Sequence, residues 1–447
     1  MSFYSRAFLN LYSLAWQAAR PLLRRHSRLS GDFEQRLAAE GWPHFPPASG
    51  PCIWLQAASG GEAWLIQTLV AGLLALPDPP LPLCLLCTTF TSQGLEILKK
   101  LAADPALPPD LILLPRYLPL DDPALMRRAM RAARPAAIAL LETELWPGIM
   151  TAATREGIPL LILNARMTPK SLKGYSLLKP FWRENPPSAV LAVSPEDAER
   201  FARLFGPQSV TLMSNLKFDR AASFSPPADP PRNVPPTVAM VSVRQEEEGL
   251  LLPAVRSLPA FSFQGAPPRL IIAPRHMHRI PAWKKILASE GLPFSLRSSG
   301  PDTAAVLLWD TFGDLRLLYS LADSVFVGGS LAPMGGQNFL ESLEAGVIPC
   351  VGPHTANFHW VGREIFSSGL ATLLPTAGDL APALVERLRS IAAIAPAWQE
   401  ARLAARMEIR TRFQAWLSPH TGGGLQAARL LARHASGQSK RNKSAFP

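Results

Sequence analysis

The sequence predicts an α/β protein made of two doubly wound, Rossmann-like domains. Three observations carry this prediction. Short, continuously apolar runs alternate with helix-like stretches along the chain. Strands covered on both faces read this way, and they belong to parallel sheets with helices on either side. The 447 residues exceed one ordinary core, so two domains are expected. Near the middle, "SPPADPPRNVPP" from Ser225 to Pro236 is half proline. Proline at that density excludes helix and central strand and leaves a stiff, extended linker. The expected division is an N-terminal segment 1–30, a first domain 31–224, the linker 225–236, a second domain 237–435 and a basic tail 436–447.

The strands follow from the apolar runs. In the first half these are "CIWLQA" (52–57), "PLCLLCT" (82–88), "LILLP" (111–115), "AAIALLE" (136–142), "PLLILNA" (159–165) and "AVLAVS" (189–194). In the second half they are "TVAMVSV" (237–243), "RLIIAP" (269–274), "VLLWDT" (306–311), "SVFVGGS" (324–330) and "PCVGP" (349–353). Doubly wound sheets bind ligands beyond the C-terminal ends of their strands. The expected site is therefore the cleft between the domains.

Charge is placed at the ends. The net charge is +11, and Arg6, Arg20, Arg24, Arg25 and Arg28 with Lys440, Arg441 and Lys443 account for eight of it, with no acid among residues 1–31 or from Gly437 onward. A nucleic-acid protein instead lines a folded face with cations and aromatics, so nucleic acid is not an expected partner. Arg6, Asn10, Ser13, Gln17, Arg20 and Arg24 recur at steps of three or four, among Phe8, Leu9, Leu11, Tyr12, Leu14, Trp16, Leu22 and Leu23. That is one polar stripe on an otherwise apolar helix. Such a helix is expected to lie in a bilayer interface with arginines on anionic headgroups. Packing into the first domain is the competing expectation. No run is long enough for a transmembrane helix.

Four cysteines suit a reducing compartment. Cys84 and Cys87 form C-x-x-C, but they fall on a predicted strand, where residues three apart point to opposite faces. A metal or redox site is therefore not expected there.

Polar groups collect at predicted strand ends. "LQAASGGEAW" reads as a strand, a tight turn and a helix start. Gly60 and Gly61 allow close approach of a ligand, and the helix start favours an anion. Glu62 in that turn is either a base held ionised or a first-turn acid that only complements the helix dipole. "LLETELWPGIM" places Glu142 and Glu144 on one face at the next strand end, as ligand contacts or structural support. "LLILNARMTPKSLKGY" adds Asn164, Arg166, Lys170 and Lys173, and "SNLKFD" adds Lys217. These cations suit phosphate or carboxylate groups. In the second half, "LIIAPRHMHR" puts Arg275 and His276 at a strand end. The pairs His276/His278 and His354/His359 lack a third ligand at metal spacing, which favours hydrogen-bonding roles. "SVFVGGSLAPMGGQNFLESLEAG" carries Gly328-Gly329-Ser330 and Gly335-Gly336 before a helix start near Asn338. Their amides are expected to cradle a phosphate. Asn338 and Glu341 also have the spacing of a helix cap.

"AASGGE", "ETELWP", "NARM", "SNLKFD", "PRH", "DTFGDLRLLYSLAD", "FVGGSLAPMGGQNFLE" and "GPHTANF" occur in that order across residues 57–358. In this the chain resembles the 3-deoxy-D-manno-octulosonic acid (Kdo) transferases of Gram-negative bacteria. The resemblance implies the GT-B glycosyltransferase fold and transfer of Kdo from CMP-Kdo to a lipid A precursor, lipid IVA. It implies work at the cytoplasmic face of the inner membrane, with no cofactor and no metal. By resemblance Glu62 is the general base. Ser59, Gly60, Gly61, Glu142, Glu144, Arg166 and Lys217 are assigned to the acceptor. Arg275, His276, Gly328, Gly329, Ser330, Gly335, Gly336, Asn338 and Glu341 are assigned to the donor.

The chain also departs from the family. Gly60 stands where valine is usual, and Gln337 and Phe339 replace histidine and proline. "VSVRQEEEG" lacks the usual glycine, threonine and histidine, and Arg244 is the expected substitute contact to phosphate. Two alternatives follow: another GT-B nucleotide-sugar lipid transferase, or a non-catalytic lipid A-binding relative.

Overall fold

A computed structural model of the chain describes residues 1–25, 33–37, 42, 50–143, 145–223, 229–230, 234–263, 267–300, 304–311, 313 and 315–437. Glu144, most of the proline-rich linker and the tail from 438 lie outside the described residues. The chain forms two compact units, Met1–Arg220 with His420–Pro447, and Ala221–Pro419.

The first unit holds β1 (Cys52–Ala57), β2 (Leu83–Thr89), β3 (Leu111–Tyr117), β4 (Ala137–Leu141), β5 (Leu160–Ala165), β6 (Ala189–Ala192) and β7 (Val210–Leu212). All pairings are parallel, in the order β3-β2-β1-β4-β5-β6-β7. The order reverses between β1 and β4, so the switch point lies there. Alternation divides the cores. Cys52 and Trp54 join one cluster, while Ile53, Leu55 and Ala57 join the other. Cys84 and Cys87 likewise fall in opposite cores, both free and buried.

The second unit repeats the plan with β8 (Thr237–Val243), β9 (Arg269–Pro274), β10 (Phe294–Leu296), β11 (Val306–Leu308), β12 (Ser324–Val327), β13 (Pro349–Val351) and β14 (Thr372–Leu373). Its order is β10-β11-β9-β8-β12-β13-β14, also parallel. Its switch point is between β8 and β12. The Asp323 carboxylate, just before β12, meets Arg402 at 2.7 Å, and both side chains are fully buried. Three strands were not expected from the sequence: β7, β10 and β14. Each closes an edge of its sheet, and none offers a long apolar run.

The helix Gly423–Ala435 departs from the expected domain division. It was expected in the second domain but packs on the first. Its Ala427, Ala428 and Leu431 join Leu65, Leu69 and Val70 of the helix Gly60–Leu74 in one core. The helices approach so closely that a Cβ at Gly72 would lie 2.5 Å from the Gly424 carbonyl. Asp219 fixes the return by accepting from the Gly422 amide at 2.8 Å and the Gly424 amide at 3.2 Å.

The N-terminal segment is a helix, Phe3–Arg25. Its expected single polar stripe is split. Ser13 and Arg20 turn inward to Asp122, at 3.4 and 2.9 Å, and Tyr12 donates to Asp121 at 2.9 Å. Phe8 packs edge-on against Phe181 at 5.1 Å. The acids at 121 and 122 draw these polar groups to the domain. Phe3, Leu11, Leu14 and Leu22 remain outside as an exposed apolar ridge. No described helix is long and apolar enough to cross a membrane.

Leu431 is fully buried. Leu431→Ala is expected to destabilise the first domain by about 3 kcal/mol, read as an earlier urea transition, even though the residue lies at the far end of the chain.

Candidate active site

At the first switch point, β1 ends at Ala57 and the helix Gly60–Leu74 begins three residues later. Ser59 is the N-cap, extended at φ −130°. Its hydroxyl accepts from the Glu62 amide at 3.4 Å and donates to the Glu62 carboxylate at 3.2 Å. The other Glu62 oxygen accepts from the Ala58 amide at 2.5 Å. Ser59 thus caps the helix, and Glu62 reaches back past it to the amide of Ala58, one residue before the cap. Glu62 lies in the first turn of the helix, with its side chain only partly buried. Gly60 is buried and Gly61 is exposed on the same turn.

The neighbouring strand β4 ends at Leu141, and the next residue, Glu142, adopts φ +60°. A left-handed non-glycine residue needs its surroundings to hold it there. Lys217 donates to one Glu142 oxygen at 2.5 Å, and Arg166 lies 3.8 Å from the other. Arg166 follows β5, and Lys217 follows β7. Asn164, buried and also left-handed at φ +54°, accepts from the Leu216 amide at 2.9 Å. It thereby sets where Lys217 begins its helix. The Thr143 hydroxyl donates to the Arg166 carbonyl, and Tyr175 donates to the Thr143 carbonyl at 3.3 Å. Glu142, Arg166 and Lys217 are thus brought together. Glu144 is outside the described residues.

In the second unit, Arg244 follows β8, and Arg275 and His276 follow the adjacent β9. The Arg244 guanidinium lies 3.3 Å from the His276 ring nitrogen. His276 stacks on His278 at 5.4 Å between centroids. Desolvation first, then the Arg244 and Arg275 charges, hold His276 below the ordinary histidine value. Its ring is expected to stay neutral at pH 7. Arg244→Ala should move its titration midpoint upward in an NMR pH series, because one opposing charge is gone.

The glycine stretch corrects an expectation. The amides of Gly329 and Ser330 were expected to cradle a ligand phosphate. Instead they donate to the buried Glu247 carboxylate at 2.6 and 2.8 Å, with the Leu331 amide at 2.8 Å. The Gly328 amide pairs with the Val241 carbonyl in the sheet. A side chain at 328 would come within 2.6 Å of the Ser242 carbonyl and 2.9 Å of Glu247. An anion does sit on these amides, but the chain supplies it. Glu247 belongs to the loop "VSVRQEEEG". The signal for it was three acids directly after an apolar strand, which do not say which one turns inward. The next acid, Glu248, takes both ends of Arg279, at 2.9 and 2.5 Å.

Gly335 and Gly336 are left-handed, at φ +84° and +83°. The Gly335 carbonyl accepts from Asn357, and the Gly336 amide donates to Gly329, so the two glycine pairs form one folded loop. The Asn338 amide group donates to Glu341 at 2.9 Å, and its oxygen accepts from Leu340 at 3.2 Å. The cap expected of this pair is not formed: the N-cap of the short helix Leu340–Glu344 is Phe339, which makes no side-chain capping bond, and Asn338 lies one residue before it. Among the described residues no cluster of three or more His, Cys, Asp or Glu is arranged for a metal ion.

Glu247→Gln would set an amide N–H₂ against backbone donors. A loss of about 3 kcal/mol from the second domain is expected in urea denaturation.

A glycosyltransferase from Rickettsia africae aligns with a TM-score of 0.53 at 12% identity, over 89% of this chain and 100% of that one. Two parallel, doubly wound domains of this kind give the chain the GT-B fold. A sequence profile described as 3-deoxy-D-manno-octulosonic-acid transferase (kdotransferase) matches residues 32–220. The 3-deoxy-D-manno-octulosonic acid transferase of Bordetella pertussis is 31% identical over 434 residues, 91% of this chain and 99% of its own. That of Haemophilus influenzae is 30% identical over 377 residues, 80% and 84% of the two chains. The chain belongs to the 3-deoxy-D-manno-octulosonic acid transferase family.

Proposed function

We propose that the protein transfers Kdo from CMP-Kdo to a lipid A precursor, lipid IVA, in a single inverting displacement with Glu62 as general base. The observation that carries this reading is the place of Glu62 in a chain of this family. It stands in the turn at the C-terminal end of β1, beside the reversal of strand order. The acceptor hydroxyl attacks the anomeric carbon of Kdo, the bond from that carbon to the CMP phosphate oxygen breaks, and Glu62 takes the hydroxyl proton. Hydrogen bonds from Ala58 and Ser59 fix the direction of the carboxylate. Proton transfer accompanies bond formation, when the hydroxyl becomes acidic.

Ser59, Gly60 and Gly61 shape the turn the acceptor approaches. Arg166 and Lys217 serve its phosphate groups, with Glu142 holding both cations in place. On the donor side Arg244, Arg275 and His276 meet the carboxylate and phosphate of CMP-Kdo. Because Glu247 occupies the Gly329 and Ser330 amides, those residues and Gly328 support the donor loop. Gly335, Gly336, Asn338 and Glu341 form its outer turn. The charge of the leaving group is met by side chains, so the reaction as proposed uses no metal ion. The exposed ridge of Phe3, Leu11, Leu14 and Leu22, with Arg24 and Arg25 at its end, supports seating on the anionic cytoplasmic face of the inner membrane.

The test is transfer from freshly made CMP-Kdo to lipid IVA by wild type, Glu62→Gln and Glu62→Ala, each checked for folding. Wild type should transfer, and both variants should lose about a hundredfold or more. Glu62→Gln is the sharper variant, since it keeps an acceptor for the Ala58 amide. Near-full activity in it removes Glu62 from the role of base. A wild type that binds lipid IVA without transfer supports the binding relative, and one that uses only another nucleotide sugar supports a different transferase.

A further inference from the structure

We propose that Asp121 is a positioning residue for the acceptor side of the site, linking the seat of the N-terminal helix to the turn that carries Glu142. The inference rests on the function proposed above.

Asp121 lies between β3 and the helix Pro123–Ala133 and is 1% exposed. One of its oxygens accepts from the Gly148 amide at 2.7 Å and from the Tyr12 hydroxyl at 2.9 Å. The other accepts from the Ile149 amide at 2.8 Å. Gly148 and Ile149 open the helix Pro147–Glu156, whose own N-cap, Trp146, makes no side-chain capping bond. Amides at a helix start need an acceptor, and here a distant residue provides it. The approach is close, since a Cβ at Gly148 would lie 2.1 Å from the Asp121 carbonyl.

The helix so capped begins at the end of the turn that leaves β4 through Glu142 and Thr143. Thr143 ties the front of that turn to the Arg166 carbonyl. Asp121 ties its back. The left-handed Glu142 immediately precedes the first of these ties, where it holds Arg166 and Lys217. Asp122 adds a parallel link: it caps the helix Pro123–Ala133 through the Ala124 amide at 2.8 Å and takes Arg20 at 2.9 Å. Two consecutive acids thus join one face of the N-terminal helix to the starts of two helices, while the opposite ridge of that helix is exposed. A shift of the N-terminal helix on the domain is felt first by Tyr12 and Asp121, and next by the turn at Glu142.

The experiment compares wild type, Tyr12→Phe and Asp121→Asn in the full chain, by site-resolved amide exchange and by steady-state transfer to lipid IVA in detergent micelles. Asp121→Asn keeps the shape but sets its N–H₂ against either the Ile149 amide or the Gly148 amide and Tyr12 hydroxyl. Exchange at whichever of Gly148 and Ile149 faces the N–H₂ should speed up about tenfold, and kcat/KM for lipid IVA should fall about threefold or more while KM for CMP-Kdo is unchanged. Tyr12→Phe, which leaves both amide bonds, should shift the same two readouts by less. Faster exchange with wild-type acceptor kinetics would make Asp121 structural only and overturn the proposal. So would unchanged exchange, or an equal loss toward donor and acceptor. A folded wild type that transfers nothing overturns the functional reading instead, and this inference falls with it.

Discussion

A chain that leaves a buried parallel strand carries N–H groups with no partner, and burial makes an unpaired one costly. Much of the architecture at the strand ends answers that constraint with the chain's own carboxylates. Glu62 takes the Ala58 amide, Asp121 takes Gly148 and Ile149, and Asp197 takes Met167 at 2.8 Å. Asp219 takes Gly422 and Gly424, and Glu247 takes Gly329, Ser330 and Leu331. Each bond fixes a turn, and each turn points a side chain. The cations at the strand ends stand where they do because acids beneath them have closed the backbone.

This arrangement divides labour between backbone and side chains. A glycine loop with open amides binds phosphate directly. Here the loop after β12 is closed on Glu247, so in the proposed reaction the donor's negative charge falls to side chains, Arg244 and Arg275. In the first domain the balance is similar: Glu142 holds Lys217 and Arg166 together, and like charges kept close in this way can serve an anion without repelling each other apart.

The sequence made the buried strands legible because each is a continuous apolar run bounded by turn residues. It hid β7, β10 and β14 because edge strands need cover on fewer sides and so carry weaker patterns. Periodicity showed that residues 3–25 form a helix with distinct faces, but not that Asp121 and Asp122 would claim Tyr12, Ser13 and Arg20. The same limit applies to the helix Gly423–Ala435, whose apolar face names no sheet. At the site, Glu62 was legible as a carboxylate in the first turn of a helix, whereas the Ser59 cap was shown only by the fold. The inward turn of Glu247 was not, since "RQEEEG" offers three acids of one kind, and only the fold selects which one loses its water.

The helix Gly423–Ala435 makes the second unit an insertion within the first. The earliest strands to leave the ribosome therefore belong to a core that stays open until the last helix arrives. During synthesis the first unit has its seven strands early but lacks the helix Gly423–Ala435, so the second unit, whose residues 221–419 are contiguous, is complete first. The helix that begins with Glu62 gets its packing partner only at the end. A chain cut after residue 419 would thus have a complete second unit and an unfinished first one, and chimeras between relatives should exchange the inserted block rather than the C-terminal half.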